Sequence, residues 1–255
     1  MKLLCVEGSH YEMQYHYHLQ SFIYNLLRGS KYHNLHNKEG YKFFCYSNIF
    51  PANDLQTGDI RTFIISSPDD GFTGYLHNAV SSLKEGVRIG AMRFRVQSSH
   101  LINIQIPDGL PFTLITGTPI VIRIPREKYR TYGIEPPKSY DYLYWRSHHP
   151  IELFMLQTKN NLLKKYNEFL NLKNNDIYDD TSSFPLFHKF QFKKQVSTRI
   201  MMKNSEQIVV GTVWEFGFEG WEDKKLVQFA LDARLGERNS MGFGFMNLLE
   251  NRRRT

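Results

Sequence analysis

Apolar residues in this chain change their spacing in a fixed order, and they do so twice. Residues 2–7 form a short apolar run that reads as a strand. From Glu12 to Arg28 the spacing becomes helical, with Tyr15, Leu19, Phe22, Ile23, Leu26 and Leu27 recurring and Gly29 ending the pattern. Tyr41 to Phe50 is aromatic and strand-like, and a Pro51-Ala52-Asn53-Asp54 turn follows it. Ile60 to Ser66 reads as the next strand. Phe72 to Lys84 reads as a helix, with Phe72, Leu76, Val80 and Leu83 on one stripe and Gly86 after it. Val87 to about Ile104 is expected to be one strand.

The second half repeats that order in element type, though not in residue identity. Thr118 to Ile124 is expected as a strand, and Ile151 to Leu172 as a long helix entered from His149-Pro150. Leu186 to Met202 and Gln207 to Phe218 should pair across Lys203-Asn204-Ser205. Glu222 to Ala233 is a helix, and Phe243 to Glu250 closes the set. Strand, helix, strand, strand, helix, strand is the ferredoxin-like unit. The expected class is therefore α+β, with two tandem ferredoxin-like (βαββαβ) domains over 1–112 and 113–255.

Net charge of +7 favours an anionic partner without specifying a fold. The only cysteines, Cys5 and Cys45, lie in expected strands, where a small buried thiol is the usual outcome. No disulfide framework follows from two such residues. No run approaches the roughly 18 apolar residues of a membrane helix, and the apolar start is too short for a signal peptide. A cytoplasmic protein with no membrane partner is expected. His16 and His18, with His10 upstream, point in different directions on or before a helix, and His148-His149 has no evident third ligand. Neither a metal nor another cofactor is expected.

Positive charge is clustered. Lys189, Lys193, Lys194, Arg199 and Lys203 fall in one stretch with no acidic residue, interleaved with Phe190 and Phe192. Arg88, Arg93 and Arg95 form a second acid-free cluster, and Arg252, Arg253 and Arg254 a third. Each could be a solvated face. Together they suit a groove that neutralises phosphates and offers ring faces for stacking.

Residues 235–245 read Leu-Gly-Glu-Arg-Asn-Ser-Met-Gly-Phe-Gly-Phe. Gly236, Gly242 and Gly244 permit positive φ and close backbone approach, while Arg238, Asn239 and Ser240 add side-chain donors suited to phosphate oxygens. The loop lacks a Gly-Lys-Ser/Thr ending and runs from helix to strand, so it fits neither common nucleotide loop. A plain helix-to-strand connection is the alternative.

A glycine-rich loop opening a late strand resembles the signature of the RAMP superfamily of CRISPR-associated RNA-binding proteins, most of all the branch that cuts CRISPR repeat RNA into guide units. The resemblance implies paired ferredoxin-like domains and a histidine after the first helix with a lysine on the following strand. By position these are His36, as general acid or base, and Lys42, as the cation meeting charge on the phosphorane. Histidine suits proton transfer because its ordinary pKa is near neutrality. In a strand Tyr41, Phe43 and Cys45 would share one face, leaving Lys42 on the other.

Some family members add a tyrosine on the first helix. Tyr24 is the nearest candidate, with Tyr17 and Ser21 at comparable positions. His33 either supplies the second acid–base group or flanks the site. The resemblance implies metal-independent cleavage by 2′-hydroxyl attack, with CRISPR repeat RNA as partner. Effector-complex proteins and a homodimer are further partners it leaves open. Two other classes stay open: a non-catalytic RAMP subunit that holds guide RNA, and an unrelated ferredoxin-like enzyme acting on a small anion.

Overall fold

The computed structural model describes residues 1–12, 14–83, 86–135, 140–179, 186–202, 205–220 and 222–249. The chain divides into two compact units. One comprises Met1–Asn103, Arg199–Gln207 and Asn239–Gly242, and the other Ile104–Thr198, Ile208–Arg238 and Phe243–Thr255. Both mix helices with antiparallel sheet, an α+β fold.

In the first unit, β1 (Lys2–Glu7) alternates in burial, with Leu3 and Cys5 sealed inside. It lies between β3 (Ile60–Thr62) and β6 (Met92–Ser98), antiparallel to both, and β5 (Val87–Ile89) completes the order β3-β1-β6-β5. A separate short pair joins β2 (Cys45–Tyr46) to β4 (Ile65–Ser66). Helix α1 (Tyr15–Leu26) buries Leu19 and Ile23, and α2 (Asp70–Ser81) buries Phe72, Leu76 and Val80. The Asp69 carboxylate accepts a hydrogen bond from the Gly71 amide and caps α2.

Three strand expectations need correction here. The strand expected over Ile60–Ser66 is two, Ile60–Thr62 and Ile65–Ser66, in different sheets. The stretch expected as one strand from Val87 is a tight hairpin, because Gly90 takes φ 60° between β5 and β6. Arg93 and Arg95 do face outward and Met92 and Phe94 inward, as alternation requires. The strand expected over Tyr41–Phe50 shrinks to Cys45–Tyr46. Phe43 has φ 52°, a left-handed conformation that breaks the alternation on which the placement of Lys42 relied.

The second unit holds most of a sheet of order β10-β11-β7-β12, made of β7 (Phe112–Thr116), β10 (Lys189–Met202), β11 (Ser205–Phe218) and β12 (Met246–Leu249). Its opening strand is Phe112–Thr116 and not Thr118–Ile124. Pro119 has no amide to give a ladder. The chain past it makes single bridges, Ile120 to Thr212 and Val121 to Glu237. It then enters β8 (Arg123–Pro125), which pairs with β9 (Tyr142–Tyr144).

Helix α3 spans Ile151–Leu172, and α4 spans Lys224–Ala233 with Asp223 accepting from the Leu226 amide as its cap. Trp214 stacks on Phe154 at 4.6 Å in the core. Lys165 of α3 is 1% exposed, and its ammonium donates to the carbonyls of Arg234 at 2.7 Å and Gly236 at 3.1 Å. A buried cation thus satisfies the carbonyls just past the end of α4, where the helix dipole favours positive charge. Among the described residues no helix is long and apolar enough to cross a membrane.

Candidate active site

Three side chains on one face of α1 build the site. His16, Gln20 and Tyr24 are four residues apart, so they stack along a single stripe. Each holds part of the segment Asn239–Gly242, which belongs to the same compact unit. His16 Nδ1 donates to the Met241 carbonyl at 2.6 Å, and Gln20 Nε2 donates to the Ser240 carbonyl at 2.8 Å. The Tyr24 phenol is hydrogen-bonded to the Ser240 side chain. Gly242 lies against the Tyr46 ring so closely that a Cβ there would come within 2.5 Å of it, and its φ is 84°. Tyr46 in turn donates through its hydroxyl to the His16 carbonyl at 2.7 Å.

Tyr24 also meets the two residues singled out after α1. A 3₁₀ helix over His33–His36 brings the His36 ring edge-on to Tyr24, with centroids 4.8 Å apart. Lys42 Nζ donates to the Tyr24 hydroxyl at 3.1 Å and to the His36 carbonyl at 2.8 Å. Tyr24, His36, Lys42 and Ser240 are therefore one cluster. His33 begins the same 3₁₀ helix, whose threefold repeat sets it along the same edge as His36. Tyr17, the alternative to Tyr24, is 52% exposed and packs on His18.

The electrostatics separate the roles open to each group. Burial pushes the Tyr24 phenol up to about 12, with the Ser240 hydrogen bond opposing it, so Tyr24 is a neutral phenol near pH 7. Burial also lowers the Lys42 ammonium below its ordinary range. His36 is exposed, and its Nδ1 lies 2.9 Å from Asn37 Oδ1. With that oxygen accepting, Nδ1 carries the proton and Nε2 the lone pair.

His16, for which the sequence suggests no metal-binding role, anchors the late loop. It is almost wholly buried, and desolvation holds its pKa at about 4, with the Met241 carbonyl opposing the shift. The folded pKa lies below the ordinary 6.5, so His16 contributes stability fully present above about pH 6.5 and lost as pH falls toward 4. A pKa held at about 4 instead of 6.5 corresponds to ~3 kcal/mol. Urea unfolding between pH 7 and 4 should show this slope, and His16→Gln should flatten it. An unchanged slope in that variant would remove His16 from the account.

The other residues singled out by sequence fare differently. Gly236 is buried at φ 69°, and a Cβ there would meet the Val121 carbonyl oxygen at 2.6 Å. The Gly242 amide donates to the Asn239 carbonyl, and the Gly244 amide to the Pro119 carbonyl, each at 2.8 Å. These amides are engaged within the protein, so the glycines shape and pack the loop. Arg238 has φ 59° and donates to the Tyr144 hydroxyl at 3.2 Å. Asn239 and Ser240 begin a single 3₁₀ turn that ends at Met241.

The basic stretch on β10 is acid-free only along the chain. Lys189 pairs with Glu219 at 2.9 Å, Lys193 with Glu215 at 2.7 Å, and Arg199 with Glu206 at 3.4 Å. Lys194 is exposed, and Phe190 and Phe192 turn toward Trp214. Arg93 likewise pairs with Glu7 at 2.9 Å. Lys203 and Arg252–Arg254 lie outside the described residues.

Sequence reasoning missed Gln20, His16 and Lys165. The signal for the first two was available, since polar residues four apart on a helix beside a tyrosine mark a shared polar face. Lys165 was visible as a charge within the buried stripe Phe154, Thr158 and Leu162.

A family profile described as CRISPR associated protein Cas6, C-terminal, matches residues 108–248. The chain is 32% identical over 235 residues to a protein of Methanocaldococcus jannaschii named CRISPR-associated endoribonuclease Cas6 2, covering 90% of each. It is 27% identical over 244 residues to the CRISPR-associated endoribonuclease Cas6 of Haloferax mediterranei, covering 94% of this chain and 89% of that one. A solved structure described as a Cas6-related gene product from Pyrococcus furiosus superposes with a TM-score of 0.70 at 18% identity, covering 98% of both chains. That last likeness concerns the fold alone. Together with the α+β fold, these likenesses place the chain in the class of CRISPR-associated endoribonucleases. The chain belongs to the Cas6 family of CRISPR-associated endoribonucleases.

Proposed function

We propose that this endoribonuclease cuts CRISPR repeat RNA without a metal cofactor, by turning the RNA's own 2′-hydroxyl into the nucleophile. A base removes the hydroxyl proton and O2′ attacks the adjacent phosphorus. The 5′-oxygen then leaves with a proton from an acid. The products are a 2′,3′-cyclic phosphate and a 5′-hydroxyl. His36 serves as acid or base through Nε2, and His33 is the candidate for the opposite role. Lys42 meets the charge that grows on the phosphorane. Tyr24, whose phenol keeps its proton at neutral pH, acts as a donor and fixes Lys42.

The observation that carries this reading is the pair of hydrogen bonds from the Lys42 ammonium to Tyr24 and to the His36 backbone. They join the proton-transfer group to the cation the transition state needs. Strand order supports the finer fold reading of two ferredoxin-like units. In the second unit the order β10-β11-β7-β12 places the opening strand between the third and the last of its own set, as that fold requires. RNA contacts fall to Arg238, Asn239 and Ser240 in a loop shaped by Gly236, Gly242 and Gly244, and to Lys189, Lys193, Lys194 and Arg199. Phosphates would exchange with the glutamates now paired to three of those cations, giving steep salt dependence.

The test is incubation of the purified protein with a repeat transcript in excess chelator. One cut per repeat is expected, with a cyclic phosphate on the upstream product. A stable complex holding intact RNA would instead mark a guide-holding subunit and end the nuclease reading.

A further inference from the structure

The β8–β9 hairpin presents a face that the cleavage chemistry does not use. Its register pairs Arg123 with Tyr144 and Pro125 with Tyr142. Alternation places those four side chains on one face and Ile124 with Leu143 on the other, where Ile124 is fully buried. On the first face the Arg123 guanidinium lies over the Tyr142 ring, 4.8 Å from its centroid. Tyr142 meets Tyr144 edge to face at 5.6 Å, and Arg238 donates to the Tyr144 hydroxyl at 3.2 Å.

A hairpin of three residue pairs has little core of its own to fix two tyrosine rings. Here the guanidinium groups fix them. Glu237 in turn braces Arg123, accepting from its backbone amide at 3.0 Å and pairing with its side chain. The result is two partly buried rings held between two cations. The strand leads into further positive charge, with Arg126, Lys128 and Arg130 against a single acid, Glu127. Rigid aromatic faces flanked by guanidinium groups are what unpaired nucleobases and their phosphates require of a protein. A duplex would hide its base faces.

We propose that the β8–β9 face is a stacking subsite for unpaired nucleotides of the repeat RNA. The proposal rests on the reading that this chain binds and cuts such RNA. Stacking of this kind tolerates any base, so the subsite adds affinity for single-stranded segments without choosing their sequence.

Binding is measured by fluorescence anisotropy with repeat RNA carrying a 2′-deoxy nucleotide at the mapped cut. Tyr142→Ala and Tyr144→Ala should each raise Kd by about tenfold, and Tyr142→Phe, which keeps the ring, by no more than about twofold. Photocrosslinking of the unsubstituted protein to repeat RNA bearing 4-thiouridine decides the matter even if an alanine variant folds poorly. Crosslinked peptides containing Tyr142 or Tyr144 are expected. Unchanged Kd in folded alanine variants, or crosslinks confined to other segments, would overturn the subsite while leaving cleavage by the parent protein intact. Failure of the parent to bind or cut repeat RNA at all would remove the functional reading, and the subsite with it.

Discussion

Replacing His36 with alanine should slow single-turnover cleavage by roughly 100- to 10,000-fold while changing RNA affinity by less than about threefold. The asymmetry follows from where the imidazole sits. Its ring is exposed, edge-on to Tyr24, and its Nδ1 is tied to Asn37, which leaves Nε2 to exchange a proton with the substrate. A group that acts only while a proton moves is worth little in the ground state and much at the transition state. The His36 backbone carbonyl still receives the Lys42 ammonium after the substitution, so the cation should stay in place. Rapid-quench rates and anisotropy on the same RNA make the comparison. Equal losses in rate and affinity would reassign His36 to binding. A larger loss from His33→Ala would make that residue the principal group.

Gly236→Ala should destabilise the protein by ~3 kcal/mol or more, lowering its thermal midpoint by about 6–12 °C. Two costs add. The backbone is at φ 69°, where a side chain is strained, and the new Cβ would come within 2.6 Å of the Val121 carbonyl oxygen and 2.7 Å of Ile120 Cγ2. That carbonyl also accepts from the Glu237 amide at 2.9 Å, so it cannot retreat without breaking the bridge. The same glycine's own carbonyl is one of the two that satisfy buried Lys165. A melt by circular dichroism tests this, and a midpoint within 2 °C of the parent, well inside the range of a surface substitution, would count against the packing role.

Local pattern carried the helices well and the strands unevenly, for reasons visible in particular residues. The stripe of Leu19 and Ile23 needs only periodicity, and α1 forms where that stripe lies. The element after it depends on Phe43, whose left-handed backbone no apolar pattern announces. Lys42 nonetheless reaches Tyr24, because an irregular chain can deliver a long flexible side chain that alternation alone would not have aimed. Pro119 was a readable objection to the strand expected over Thr118–Ile124.

The site itself was legible only in pieces. His36, Lys42 and Ser240 could be named from a family likeness. That Tyr24 and not Tyr17 faces them depends on the long-range docking of residues 239–242. Charge clusters misled in one respect: Lys189, Lys193 and Arg199 look unopposed along the chain, and only β11 and the residue just after it supply Glu206, Glu215 and Glu219.

The clasp of His16 on Met241 and Gln20 on Ser240 joins residues 225 and 220 positions apart. On the ribosome the first four-stranded sheet and α1 can emerge and fold long before those two partners exist. Until residue 241 has been made, α1 exposes an imidazole and an amide with nothing to hold, and Tyr24 lacks Ser240. The nascent polypeptide should therefore cut no RNA until residues 239–242 have been made, however much of the rest has already folded.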